Sequence, residues 1–147
     1  MSQPKYKLHN SQSNALLRSW QSRANDRFTP ADFVLPLFIT NNNNAIEAID
    51  SFPGVFRFGI FSAINYLRPL ISDGLQSVLI FAAPSGDKKL EDALDEKKNP
   101  VLRLPKEFKN AFPELTLIVD VCLCTYNETG LFISCIFAII LFNINIY

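Results

Sequence analysis

Val78-Leu79-Ile80-Phe81-Ala82 constrains the fold more than any other stretch: five apolar residues in a row, with Gln76-Ser77 before them and Pro84 soon after. A strand with one wet face alternates apolar and polar residues, so an unbroken run over 76–82 predicts burial on both faces. That is the environment of a parallel sheet covered by helices. Two other runs suit the same sheet. Phe33 to Ile39 reads as a first buried strand, although Pro36 cannot donate to a ladder and belongs at an edge or bulge. Leu115 to Cys124 reads as a third, apolar from Leu115 to Val119.

Helical patterns separate these runs. Ile60, Ile64, Leu67 and Ile71 form one stripe in a helix over 60–72, with Pro69 in its last turns and Gly74 where a C-terminal cap belongs. Asn99-Pro100 supplies a cap and a first helical residue for a helix to about Ala111, and Pro105 conflicts with its interior. The order strand, helix, strand, helix, strand implies an α/β fold with right-handed crossovers. Before it, residues 1–13 read as an extended arm and Asn14–Gln21 as a short helix with Leu17 and Trp20 packing. Thr29-Pro30-Ala31-Asp32 reads as a brief helical turn, Asn41–Asn44 as a loop, and Ser51–Gly59 as a turn-rich segment. Pro84–Lys98 is charged and reads as a surface loop in preference to an active-site lid.

Composition excludes several classes. The chain of 147 residues carries 14 basic and 14 acidic side chains, so nothing points to nucleic acid or an anionic surface. The first seven residues lack the apolar core of a secretory signal. Three cysteines, two of them as Cys122-x-Cys124, suit a metal site better than a disulfide framework, and a reducing cytosol better than an oxidising compartment. The single histidine, His9, lies in the polar arm, which argues against a multi-histidine metal site or a histidine-based triad in the core.

Candidate chemistry therefore concentrates in Asp120-Val-Cys122-Leu-Cys124-Thr-Tyr126. Two cysteines two apart on an extended chain point to one side. They stand where the third strand ends, the end at which parallel sheets carry their sites. Two thiolates on a rigid element can hold a soft metal ion, but a zinc site needs at least a third ligand.

These residues resemble the porphobilinogen synthase (5-aminolevulinate dehydratase) family. Leu16-Leu-Arg-Ser-Trp-Gln21, Leu35-Pro-Leu-Phe-Ile39, Phe52-Pro-Gly-Val-Phe-Arg-Phe-Gly59, Leu67-Arg-Pro-Leu70, Gly74-Leu75 and Val78-Leu-Ile-Phe81 match the family in order. Asp120-Val-Cys-Leu-Cys124 is the most specific piece and resembles the start of the zinc segment of metal-dependent members. The resemblance covers about residues 5 to 130. It implies a (β/α)8 barrel lyase of heme and porphyrin biosynthesis that condenses two 5-aminolevulinate molecules to porphobilinogen, in homo-octamers whose arms wrap neighbouring subunits. It also implies zinc, held by Cys122 and Cys124, with Asp120 contacting substrate or a metal-bound water. The family's Schiff-base chemistry uses lysines on later strands.

Two departures from the family qualify this. After Tyr126-Asn-Glu-Thr-Gly130 the family continues with His-Cys-Gly, whose cysteine is the third ligand; here Leu131-Phe132-Ile133 stands instead, and Cys135 comes three residues late. A complete barrel usually needs about 250 residues, and the segments that carry the catalytic lysines are not present. Lys88, Lys89, Lys97 and Lys98 fall in a loop, and Lys106 and Lys109 on a helix. Such lysines in water titrate near ~10.4 and are poor nucleophiles.

The expectation is thus an arm over 1–30, an incomplete barrel over 31–130 with the first three strands and two helices, and an unrelated apolar tail over 131–147. The chain by itself is expected to be inactive. The alternatives are a non-enzymatic fragment that docks on full-length subunits, or a tail-anchored membrane protein. The uncharged tail has three readings: a membrane anchor at the lower length limit, a buried strand plus helix start, or sequence foreign to the family, such as read-through into an AT-rich intron. The abrupt end of the match at Gly130 favours the third.

Overall fold

The computed structural model describes residues 12–22, 27–84, 86, 89–122, 124–126 and 138–142. His9, Lys88, Cys135, the arm before residue 12 and most of the tail lie outside them.

The chain enters through α1 (Ala15–Gln21). The Asn14 side chain caps it by accepting from the Leu17 N–H at 2.8 Å, and its amide donates to Thr116 Oγ1 at 3.2 Å. One residue thus starts the helix and moors it to the sheet. Trp20 Nε1–H donates to the Ala31 carbonyl at 2.9 Å, so the expected packing role of Trp20 carries a polar anchor as well. The expected turn at Thr29 is a single 3-10 turn, Pro30–Asp32, closed by a capping box in which Asp32 accepts from the Thr29 N–H and O–H.

Six strands follow in one sheet. They are β1 (Leu35–Ile39), β2 (Ile46–Ala48), β3 (Phe56–Phe58), β4 (Ser77–Ala82), β5 (Thr116–Val121) and β6 (Ala138–Phe142), in the spatial order β2-β3-β1-β4-β5-β6. The three strands expected from the sequence form its centre. β1 is parallel to β4 in register Leu35↔Val78 through Ile39↔Ala82, and β4 is parallel to β5 from Ser77↔Thr116 to Ile80↔Val119. Pro36 is tolerated because β3 reaches only Phe38 and Ile39; at Pro36 the strand is paired on the β4 side alone.

Two features differ from expectation. The turn-rich 51–59 segment contains β3, which pairs antiparallel with β2 and parallel with β1. Three-residue strands give no periodicity to read, and the intervening loop, with Gly54 at φ 83°, gives only turn signals. The described part of the tail is β6, antiparallel to β5; it is a strand, as the reading of a buried strand plus helix start had it, and not the spanning helix of another reading. No helix of the described residues is long and apolar enough to cross a membrane.

The helices α2 (Ile60–Ser72) and α3 (Pro100–Ala111) lie side by side on one face of the sheet. Ile60, Ala63, Ile64 and Leu67 of α2 and Val101, Leu104 and Phe108 of α3 share one buried core with Leu37, Ile39, Val78, Ile80, Leu117 and Val119 of the sheet. α2 ends as expected: Gly74 takes φ 104° and Leu75 N–H returns to the Leu70 carbonyl. Pro105 sits inside α3. A proline in a helix interior costs about 3 kcal/mol. Burial of Val101, Leu104 and Phe108 contributes about 1.5–3 kcal/mol each, which outweighs it.

The four-asparagine loop has a structural task. Asn43 O accepts from Phe61 N–H and Ala45 O from Gly59 N–H, so the loop satisfies donors at the start of α2. A Cβ at residue 59 would collide with the Asn42 carbonyl oxygen, which is why glycine stands there.

Candidate functional site

Alternation along β5 divides its side chains between two faces. Leu117 and Val119 face the helices. Ile118 and Asp120 belong to the other face, the one that a closed barrel turns inward. On β1 and β4 that face carries Phe38 stacked on Phe81, with ring centroids 5.4 Å apart. Asp120 is half-buried at the C-terminal end of β5, and loss of water raises its carboxyl above the ordinary value.

Cys122 is one residue past the strand. Cys124 is not on an extended chain, as the spacing had suggested, but opens a 3-10 turn, Cys124–Tyr126. The turn still brings the pair together: Cys124 N–H donates to Cys122 Sγ at 3.3 Å. No disulfide joins the two half-buried thiols.

The turn ends on Tyr126 and meets a segment that the sequence did not single out, around Asp92. Tyr126 is buried, and desolvation together with the nearby Asp92 carboxylate pushes its phenol up to about 12. Its hydroxyl has no hydrogen-bond partner among the described residues. Asp92 belongs to a 3-10 turn, Leu90–Leu94, inside the charged segment expected to be a plain surface loop. Asp92 and Ala93 are buried there because Lys98 Nζ bonds Asp92 Oδ1 at 2.6 Å and Asn99 Nδ2 donates to the Ala93 carbonyl at 2.8 Å. Charge count alone gave no sign of this, since the acid's partner is six residues away in the same polar run.

The described lysines are exposed or bonded to other groups. Lys89, Lys97, Lys98 and Lys106 are exposed. Lys109 is half-buried, and desolvation lowers its amine, but it donates to the Pro113 and Leu115 carbonyls, both at 2.9 Å. These carbonyls lie just before β5, at the end of the sheet opposite Asp120. A cleft of about 410 Å³ there is lined by Lys109, Asn14, Gln76, Glu114 and Thr116.

Comparison with known proteins accounts for this arrangement. The family model described as delta-aminolevulinic acid dehydratase matches residues 5–136. The chain belongs to the delta-aminolevulinic acid dehydratase family. The dehydratase of Schizosaccharomyces pombe is 39% identical over 124 residues, covering 84% of this chain and 37% of the relative. That of Pongo abelii is 37% identical over 130 residues, covering 87% and 39%. The chain thus spans little more than a third of the length of these dehydratases. A crystal structure of the Toxoplasma gondii dehydratase, in complex with the reaction product porphobilinogen, superposes with a TM-score of 0.62 at 21% identity, over 87% of this chain and 35% of that one. At that identity the likeness speaks for fold: the parallel core β1-β4-β5 with α2 and α3 is part of a dehydratase barrel. Among the described residues no group of three or more His, Cys, Asp or Glu side chains could hold a metal ion.

Proposed function

We propose that this chain carries βα units of a porphobilinogen-forming dehydratase, and with them two thiolate ligands of its zinc site, and that none of the described residues supplies the Schiff-base amine for the condensation of 5-aminolevulinate. The observation that carries the reading is the position of Asp120, Cys122 and Cys124 at the C-terminal end of the third parallel strand, inside the residues matched to the family. In kind, the donors fit a borderline-soft ion; in number, they fall short among the described residues. Cys122 and Cys124 would each give one sulfur, and Asp120 would border the metal and meet substrate or a metal-bound water. The half-buried carboxylate, held at a strand end, suits that contact. A described lysine for Schiff-base formation is missing at this end: the one amine with a lowered pKa, on Lys109, is committed to two carbonyls at the other. For the whole enzyme the substrate is 5-aminolevulinate and the assembly a homo-octamer.

Cobalt(II) titration tests the ligand assignment, because sulfur-to-cobalt absorption reports the number of thiolates bound. The chain should show the band of a two-thiolate site with weak affinity, and Cys122→Ser with Cys124→Ser should abolish it. An unchanged band in that double variant would sink the assignment.

A further inference from the structure

Two 3-10 turns pack on each other: Leu90–Leu94 of the charged segment and Cys124–Tyr126 of the thiol end. Each brings to the contact a polar group that ordinarily seeks water. Asp92 is buried, and acids are almost never buried unless paired. Its pair is Lys98, whose Nζ lies 2.6 Å from Oδ1. A carboxylate has a second oxygen to offer. Tyr126 brings a buried hydroxyl with no hydrogen-bond partner among the described residues. Leaving such a group unmatched costs about 1–3 kcal/mol, so phenylalanine would serve better if packing were the only task. The charge that acts on this phenol is that of Asp92. Asp92 is also fixed from the other side: the neighbouring Ala93 carbonyl is held by Asn99, the residue that caps α3.

We infer that Asp92 is a positioning residue for the thiol pair: Lys98 and Asn99 hold it in place, its carboxylate receives the Tyr126 hydroxyl, and this latch fixes the turn that presents Cys124 to Cys122. The charged segment is then a support of the thiol end. The latch itself needs no metal; its use in metal binding rests on the zinc reading above.

Two measurements on the full chain, in a Cys135→Ser background, decide it. Alkylation of Cys122 and Cys124 by iodoacetamide, followed at each residue by mass spectrometry, reads the turn without metal. Asp92→Ala and Tyr126→Phe should each speed labelling of Cys124 about threefold to tenfold, the worth of one hydrogen bond. Together they should do no more than the larger single effect, because both break one contact. Glu91→Ala, at the exposed acid beside Asp92, should match the parent, and hydrogen exchange over 60–72 should be unchanged in every variant. The parent's labelling rate in Tyr126→Phe, or effects that multiply, would overturn the latch. Cobalt(II) titration reads its use: both variants should bind several-fold more weakly, with a shifted ligand-field band. Parent affinity and an unshifted band alongside faster labelling would overturn the positioning role. If Cys122→Ser with Cys124→Ser keeps the parent's cobalt band, the zinc reading falls, and the labelling rates still decide the latch. If Asp92→Ala unfolds throughout, Tyr126→Phe, which removes one oxygen, still decides.

Discussion

Asp120 carries a carboxyl raised by burial, with no neighbouring charge contributing. The sign of the linkage follows. The folded chain holds this proton more tightly than the unfolded chain, whose value is 3.8, so stability is lost as pH rises from there through the raised folded value. Asp120→Asn removes the penalty. The variant should be more stable than the parent at pH 7, and the advantage should vanish below the unfolded value; urea melts at the two pH values measure it, and an equal difference at both would contradict the account. The place of Asp120 and Cys122 at a strand end was legible in the sequence because the apolar run before them marks the strand; the 3-10 turn at Cys124 was not. The burial of Tyr126 and the part played by Asp92 were not, because they depend on the meeting of two 3-10 turns, with Asp92 and Tyr126 far apart in sequence.

Capping and close approach set the elements. Asn99 accepts from the Val101 N–H at 3.0 Å and donates to the Ala93 carbonyl, so it starts α3 and holds the turn beneath the cysteines. Asn99→Ala should cost about 1–2 kcal/mol, the usual range for a lost N-cap, measured by chemical denaturation. A cost near zero would mean that the turn is held by other contacts. Gly59→Ala forces the asparagine loop away from the start of α2 and should cost about 1–3 kcal/mol or more, the range for overpacking. Gly54→Ala meets no atom and pays only for a positive φ, about 1–2 kcal/mol. The bounds of α2 and α3 could be read from stripe and cap, because both signals are local. β2 and β3 could not, because each is three residues long and is held by partners rather than by its own pattern.

At the scale of the molecule, the parallel core and its helices form the opening portion of a dehydratase barrel, with the thiol pair at the end where the barrel's chemistry belongs. The fold class followed from the apolar run at Val78–Ala82 and the alternation of strand and helix around it, although the expected burial of both faces was not met: Val78 and Ile80 are buried under the helices, while Leu79 and Phe81 on the other face are half-buried. The antiparallel β6 did not, because a short apolar run shows neither its partner nor its direction. The central proposal is that Cys122 and Cys124 are metal-ligating thiolates and that no described lysine is placed for Schiff-base chemistry at their end of the sheet. Turnover by the purified 147-residue chain, incubated with 5-aminolevulinate and zinc and assayed for porphobilinogen, tests it most directly. The account predicts no product above the protein-free background; porphobilinogen formed in proportion to the chain, and lost on zinc removal, would contradict it.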